Sequence, residues 1–216
     1  MPMEIFATLI DFILHVDVHL ANFVQAYGFW VYALLFAIIF AETGLVVMPF
    51  LPGDSLLFVV GALCGTGLMS LPIAMTLLIA AAILGNQTNY TLGSYFGPRV
   101  FHWENSRWFN KRAFEQAHDF YEKYGGVTLV AGRFMPFVRT FAPFVAGVAQ
   151  MNRAKFIVYD VLGAVLWVGG LTTAGYLFGN MPWIKANLDK IIWSAIFIPG
   201  VLVLVGSWRA GRKRLG

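Results

Sequence analysis

The chain has 216 residues, 59% of them hydrophobic and only 12% charged, with a formal net charge of +4 and a mean hydropathy of +0.71. That composition excludes a soluble globular domain and indicates one integral membrane domain spanning residues 1–216. With no soluble basic region to carry it, nucleic-acid binding is disfavoured, and the excess positive charge is matched to anionic lipid headgroups.

Taken in chain order, residues 1–27 lack the basic start of a cleavable signal peptide. Asp11, His15, Asp17 and His19 interrupt the apolar positions of residues 4–25. They predict an amphipathic helix lying at least partly in the membrane interface. Residues 29–64 contain FAETGLVVMPFLPGDSLLF, broken at Pro49, Pro52 and Gly53. The helix that follows runs outside to inside toward the basic loop, so the stretch becomes a re-entrant hairpin entering from outside. Such breaks are tolerated at depth only where the backbone is buried in protein or lines a cavity. A short linker at 65–70 leads into a spanning helix at 71–96.

The first Lys or Arg of the chain is Arg99, and Arg107, Lys111, Arg112 and Lys123 follow within 98–123. This excess places the 98–123 loop in the cytoplasm. Phe109, Ala113, Ala117, Phe120 and Tyr124 recur every three or four residues, the stripe of an amphipathic helix, with Trp103 and Trp108 at headgroup level. Residues 125–151 predict a second re-entrant hairpin, broken at Pro136 and Pro143. A span at 156–178, an outer linker at 180–190 and a last span at 191–208 follow. The tail with Arg209, Arg212, Lys213 and Arg214 is placed inside.

The two halves, 28–97 and 124–179, run parallel in their landmarks. Tyr27-Gly28 and Tyr124-Gly125 open them. Leu84-Gly85 to Phe96-Gly97 and Leu162-Gly163 to Phe178-Gly179 close them. Together with the threading, this predicts inverted repeats with broken helices, a transporter architecture. The expected fold is therefore all-α and polytopic. Each repeat is a re-entrant hairpin plus a transmembrane helix, joined by a cytoplasmic amphipathic helix and followed by a C-terminal transmembrane helix. Gly85, Asn89, Gly93 and Gly97, and likewise Gly175 and Gly179, fall at four-residue steps that allow close helix contact in lipid.

The chemistry sits on four charges inside these apolar stretches: Glu42, Asp54, Arg133 and Arg139. Each costs roughly 2.5 to 3.5 kcal/mol to insert, so each calls for a partner, a proton or a charged substrate. Guanidinium groups offer fork-shaped donors to phosphate oxygens, and carboxylates in low dielectric can exchange protons. The bland alternative is two static buried ion pairs. Asn86, Gln87, Thr88 and Asn89 are consecutive on one helix, so some face the bundle interior. Asn86 and Asn89, with Thr140 and Asp160, are candidates for a supporting polar path. Cys64 reads as a packing residue. The sequence has no HExxH, GxSxG or GxxxxGK[ST] motif and no zinc-like Cys/His spacing; neither an enzyme, a metal nor a cofactor is expected.

FAETGLVVMPFLPGDSLLF followed by GRFMPFVRTFAPFVAG resembles the DedA family of the SNARE-associated, or VTT-domain, superfamily. The E-T-G and P-G-D elements and the R-F-x-P-x-x-R-T-x-x-P-x-x-A-G string carry the resemblance, which runs from about Asp11 to the last helix. It implies a multi-pass protein of the bacterial inner membrane with two opposed re-entrant hairpins. It also implies transport of undecaprenyl phosphate back across the membrane for envelope synthesis, driven by the proton motive force. The family's essential acidic pair falls on Glu42 and Asp54, as proton-coupling groups, and its arginine pair on Arg133 and Arg139, as phosphate ligands. Relatives often carry Asp at the position of Asn86 and Asn at that of Asp160. The expected partners are membrane lipids, a polyprenyl phosphate and protons, and a homo-oligomer is compatible with the sequence. The rival readings are a non-selective phospholipid scramblase and a proton-coupled small-ion antiporter.

The threading has a direct test. Single cysteines introduced at Asn110 and Arg214 are expected to resist membrane-impermeant thiol reagents in intact cells; labelling of either from outside overturns the assigned topology.

Overall fold

The computed structural model describes residues 24, 26–45, 53–100 and 125–186. They form helices α1 (Trp30–Gly44), α2 (Gly53–Gly65), α3 (Leu71–Val100), α4 (Val127–Gly132), α5 (Pro136–Val148), α6 (Arg153–Phe178) and α7 (Pro182–Ala186), with no strand among the described residues. The expected interfacial helix at the N-terminus, the amphipathic helix of the 98–123 loop, the last span and the basic tail lie outside these residues. So does the break at Pro49 and Pro52. Two helical segments, Leu71–Gly97 and Arg153–Phe178, are long and apolar enough to cross a membrane. The helices α1, α2 and α5 are apolar but too short to do so alone. The molecule is an all-helical membrane protein.

Local sequence explains where the helices start. Asn152 caps α6, its side-chain oxygen accepting from the backbone N–H groups of Ala154 (3.0 Å) and Lys155 (3.2 Å). α5 opens on Pro136, where the missing N–H costs nothing, and Met135 before it is extended, as a residue preceding proline prefers. Gly28 and Gly125, the glycines of the two Tyr-Gly pairs, both have positive φ, +51° and +60°. A side chain is disfavoured in that conformation, so the same turn opens both halves.

One expectation needs correction. Pro143 does not break the second hairpin: α5 runs through it from Pro136 to Val148. The ring removes one donor, the one that would reach the carbonyl of Arg139, and the packing of α5 against α3 holds the remaining turns. Within residues 180–190, Pro182 starts the short helix α7.

The packing is reciprocal. α1 lies on α3 and α4 on α6, while α2 crosses to α6 and α5 crosses to α3. Glycines make the contacts possible. A Cβ at Gly61 or Gly175 would strike Thr172 or Phe58 backbone across the α2–α6 contact, and one at Gly93 or Gly147 would strike Phe144 or Tyr90 backbone across α3–α5. Close backbone approach of this kind is how helices associate in lipid, where apolar side chains gain nothing by leaving it. Asn180 adds a bond from its amide to the Ala62 carbonyl at 2.8 Å. Leu84, Leu92, Phe96, Leu162, Leu166 and Leu177 point outward, a lipid-facing surface.

Gly175→Leu is expected to separate α2 from α6 and destabilise the protein by about 1–3 kcal/mol, as overpacking does. A lowered thermal melting temperature of the purified protein, without loss of expression of the full chain, is the measurement.

Candidate functional site

Helix ends converge on the charges. α1 finishes with Glu42, Thr43 and Gly44, α2 begins with Gly53 and Asp54, and Arg139 sits in the first turn of α5. Arg139 binds both acids at once: Nη2 lies 2.6 Å from Glu42 Oε1 and Nη1 lies 2.6 Å from Asp54 Oδ1. Glu42 packs directly on Gly53, where any side chain would displace it. Both carboxylates therefore lie at the N-terminal end of α2, where backbone N–H groups favour negative charge. Glu42 and Arg139 are buried, but the Asp54 side chain retains 38% exposure, so the trio opens to its surroundings on the Asp54 side.

Trp167 of α6 completes this cluster. Its Nε1–H donates to Asp54 Oδ1 at 2.8 Å, and its ring lies under Arg139, with Cζ 4.7 Å from the ring centroid. One side chain thus holds the acid by a hydrogen bond and the cation by its π face.

The second arginine has a different partner. Arg133, at the C-terminal end of α4, pairs through Nη2 with Asp160 Oδ1 of α6. The same oxygen accepts from Asn86 Nδ2 at 2.9 Å, and Asp160 Oδ2 accepts from Gln87 Nε2 at 3.1 Å. A third residue of α3, Asn89, donates to the carbonyls of Thr43 (3.2 Å) and Thr140 (2.9 Å), tying the end of α1 to the start of α5. Five buried polar atoms find no partner among the described residues: Glu42 Oε2, Asn86 Oδ1, Asn89 Oδ1, Arg133 Nη1 and Thr172 Oγ1. Unpaired polar groups are costly in low dielectric, and their concentration here sets this region apart from the apolar packing around it.

The structure therefore brings Glu42, Asp54 and Arg139 together and sends Arg133 to Asp160. The alternative of two one-to-one pairs among the four predicted charges does not hold, because Arg139 takes both acids. Asn86 and Asp160 touch, so the two positions at which this chain departs from its resemblance are one contact. Thr140 enters through its carbonyl. Trp167 and the role of Gln87 were missed. The missed signal is periodic: Asp160, Gly163, Ala164 and Trp167 are spaced i, i+3, i+4 and i+7, one face of α6. No group of three metal-ligating side chains occurs among the described residues.

A VTT-domain model matches residues 51–177. The chain is 49% identical to Protein DedA of Escherichia coli (strain K12) over 216 residues, covering 98% of this chain and 99% of that protein. The chain belongs to the DedA family. It is also 40% identical over 190 residues to the uncharacterized membrane protein ML0287 of Mycobacterium leprae, covering 87% of this chain and 85% of the relative. The inner membrane protein YqjA of Escherichia coli (strain K12) is 37% identical over 177 residues, 81% of this chain and 80% of the relative. No solved structure matches the chain. In this DedA-family protein the VTT-domain match takes in Asp54, Arg133, Arg139, Asp160 and Trp167, whereas Glu42 lies upstream of it.

Trp167 gives a graded prediction. Trp167→Phe keeps the ring face but loses the N–H donor to Asp54, and is expected to destabilise by about 1 kcal/mol. Trp167→Leu also loses the face under Arg139 and leaves a cavity, for a cost of about 3 kcal/mol. Thermal melting of the two variants checks the order.

Proposed function

We propose that this DedA-family protein is a proton-motive-force-dependent lipid transporter that returns undecaprenyl phosphate across the bacterial inner membrane for envelope synthesis. It acts without a cofactor and is not an enzyme. In this reading α1–α2 and α4–α5 are re-entrant hairpins of two inverted repeats. The reciprocal packing of each on the other half's long helix supports that symmetry. The name of the relative YqjA, an inner membrane protein, supports the localisation, and the Lys/Arg distribution supports a cytoplasmic C-terminus.

The observation that carries the proposal is the charge balance of the core. All three acids among the described residues, Glu42, Asp54 and Asp160, lie against just two arginines. Fully ionised, this group is net negative, and both terminal nitrogens of Arg139 already hold a carboxylate. An anionic phosphate can reach Arg139 only by displacing one of them. Stranding a buried charge without its partner costs about 3–5 kcal/mol. Protonating an ordinary glutamate at pH 7 costs a similar amount, about 3.7 kcal/mol. The two routes are close enough that a proton supplied from a more acidic compartment decides between them, at about 1.4 kcal/mol per pH unit. Exchange of phosphate for carboxylate on Arg139 is thereby linked to proton uptake by Glu42 or Asp54. The headgroup crosses on the polar side of the bundle while the prenyl tail stays in lipid. The half-exposed Asp54 marks the open side.

Reconstitution with labelled undecaprenyl phosphate, with and without an imposed pH gradient, tests this. Arg139→Lys keeps the charge but loses the fork. It is expected to lower transport at least about tenfold in a folded, monodisperse protein. Glu42→Gln is expected to bind the lipid phosphate yet lose the response to the gradient. Full gradient dependence in both Glu42→Gln and Asp54→Asn would replace the coupled transporter by a passive scramblase.

A further inference from the structure

The Arg133 cluster has a geometry that a structural ion pair does not need. Arg133 and Asp160 are both buried, yet the guanidinium uses one arm of its fork. Nη2 holds Asp160 Oδ1, while Nη1 is buried with no partner among the described residues. A carboxylate satisfies both arms when it is seated side-on. Here Asp160 is turned away from that seat, because α3 holds it by two amides, Asn86 on Oδ1 and Gln87 on Oδ2. Asp160 is therefore shared between two claims, one from Arg133 and one from α3, and it satisfies the arginine only in part. The mounting of the arginine is also asymmetric. Asp160 sits mid-helix on the long α6. Arg133 caps the six-residue α4 just before the break at Pro136, and its stem lies on Gly163 of α6, where a Cβ would come 2.9 Å from its Cδ.

Building on the lipid-phosphate reading above, we propose that Asp160 is the resident occupant of an anion seat on Arg133, and that the substrate phosphate displaces it. The half-used fork accepts a phosphate across both arms, and the displaced carboxylate remains bonded to Asn86 and Gln87 rather than being stranded. On the releasing side Asp160 reclaims the arginine and expels the phosphate. Asp160 is thus an internal competitor. Gln87, by drawing Oδ2 away from Nη1, is a positioning residue that keeps this competition weak enough for the substrate to win.

The two residues predict changes of opposite sign, which a merely structural role would not produce. Binding of labelled undecaprenyl phosphate to the full-length protein in nanodiscs gives affinity, with dioleoyl phosphatidic acid as a second lipid-phosphate probe. Proteoliposome transport gives turnover. Asp160→Asn removes the competitor and is expected to bind about three- to tenfold tighter, the factor by which a partly occupied site weakens its ligand, while turning over several-fold more slowly. Gln87→Leu frees Oδ2 to close on Nη1 and is expected to bind several-fold more weakly. Gln87→Leu carries the test alone should Asp160→Asn fail to give monodisperse protein. Equal or weaker binding by folded Asp160→Asn, or tighter or unchanged binding by Gln87→Leu, overturns the competitor role while leaving lipid-phosphate transport intact. A wild-type protein that binds neither probe overturns the transport reading and this inference with it.

Discussion

Arg139 is the pivot of the molecule. A buried guanidinium cannot stand alone, and the two carboxylates that neutralise it come from the end of one helix and the start of the next. For both to reach it, α1 must end and α2 must begin between them, and α5 must start beside them. Interrupted helices and buried charges are thus one requirement seen from two sides. A continuous helix would satisfy its own backbone but could not bring residues 42 and 54 onto the same cation. The ends it leaves are useful in turn, since the start of α2 offers backbone N–H groups to the acids it carries.

Around that pivot the long helices do different work. α6 is bonded to both clusters, through Asp160 to Arg133 and through Trp167 to Asp54 and Arg139. α3 supplies only neutral amides, Asn86, Gln87 and Asn89, which join elements without adding charge. Amides suit that position because they donate and accept at once and remain uncharged whatever the protons nearby do.

Much of this was legible in the sequence, for a specific reason. Glu42, Asp54, Arg133 and Arg139 stand out because charge inside an apolar run is costly and calls for a partner, a proton or a charged substrate. The glycine steps at 85, 93 and 97 and at 175 and 179 correspond to real close contacts. Partner choice was not legible. Nothing in spacing says that Arg139 takes two acids while Arg133 takes Asp160, because that depends on how five helices meet. Trp167 was hidden by its own chemistry, since an indole in a membrane span looks apolar until its N–H has an acceptor. Pro143 misled because proline was read as a break, whereas a single lost donor on a helix packed along its length is survivable. Met-Pro-Phe also occurs in both halves, at 48–50 and 135–137, a shared signature more compact than the landmarks used to align them.

The crossed packing has a consequence for how the chain enters the bilayer as it is made. Glu42 and Asp54 leave the ribosome long before their cation, which follows 97 residues after the first and 85 after the second. At about 5–20 residues per second that is an interval of roughly 5–20 s. The glycine face of α2 waits as well, because its mate α6 is still unmade. For those seconds α1 and α2 hold two acids without their cation, and α2 has a glycine face with nothing packed on it. Until Arg139 follows, these acids lack the counter-charge that the finished fold gives them. Biogenesis therefore imposes on these acids the same choice, charge with a partner or proton without one, that the finished protein is proposed to use in each transport cycle.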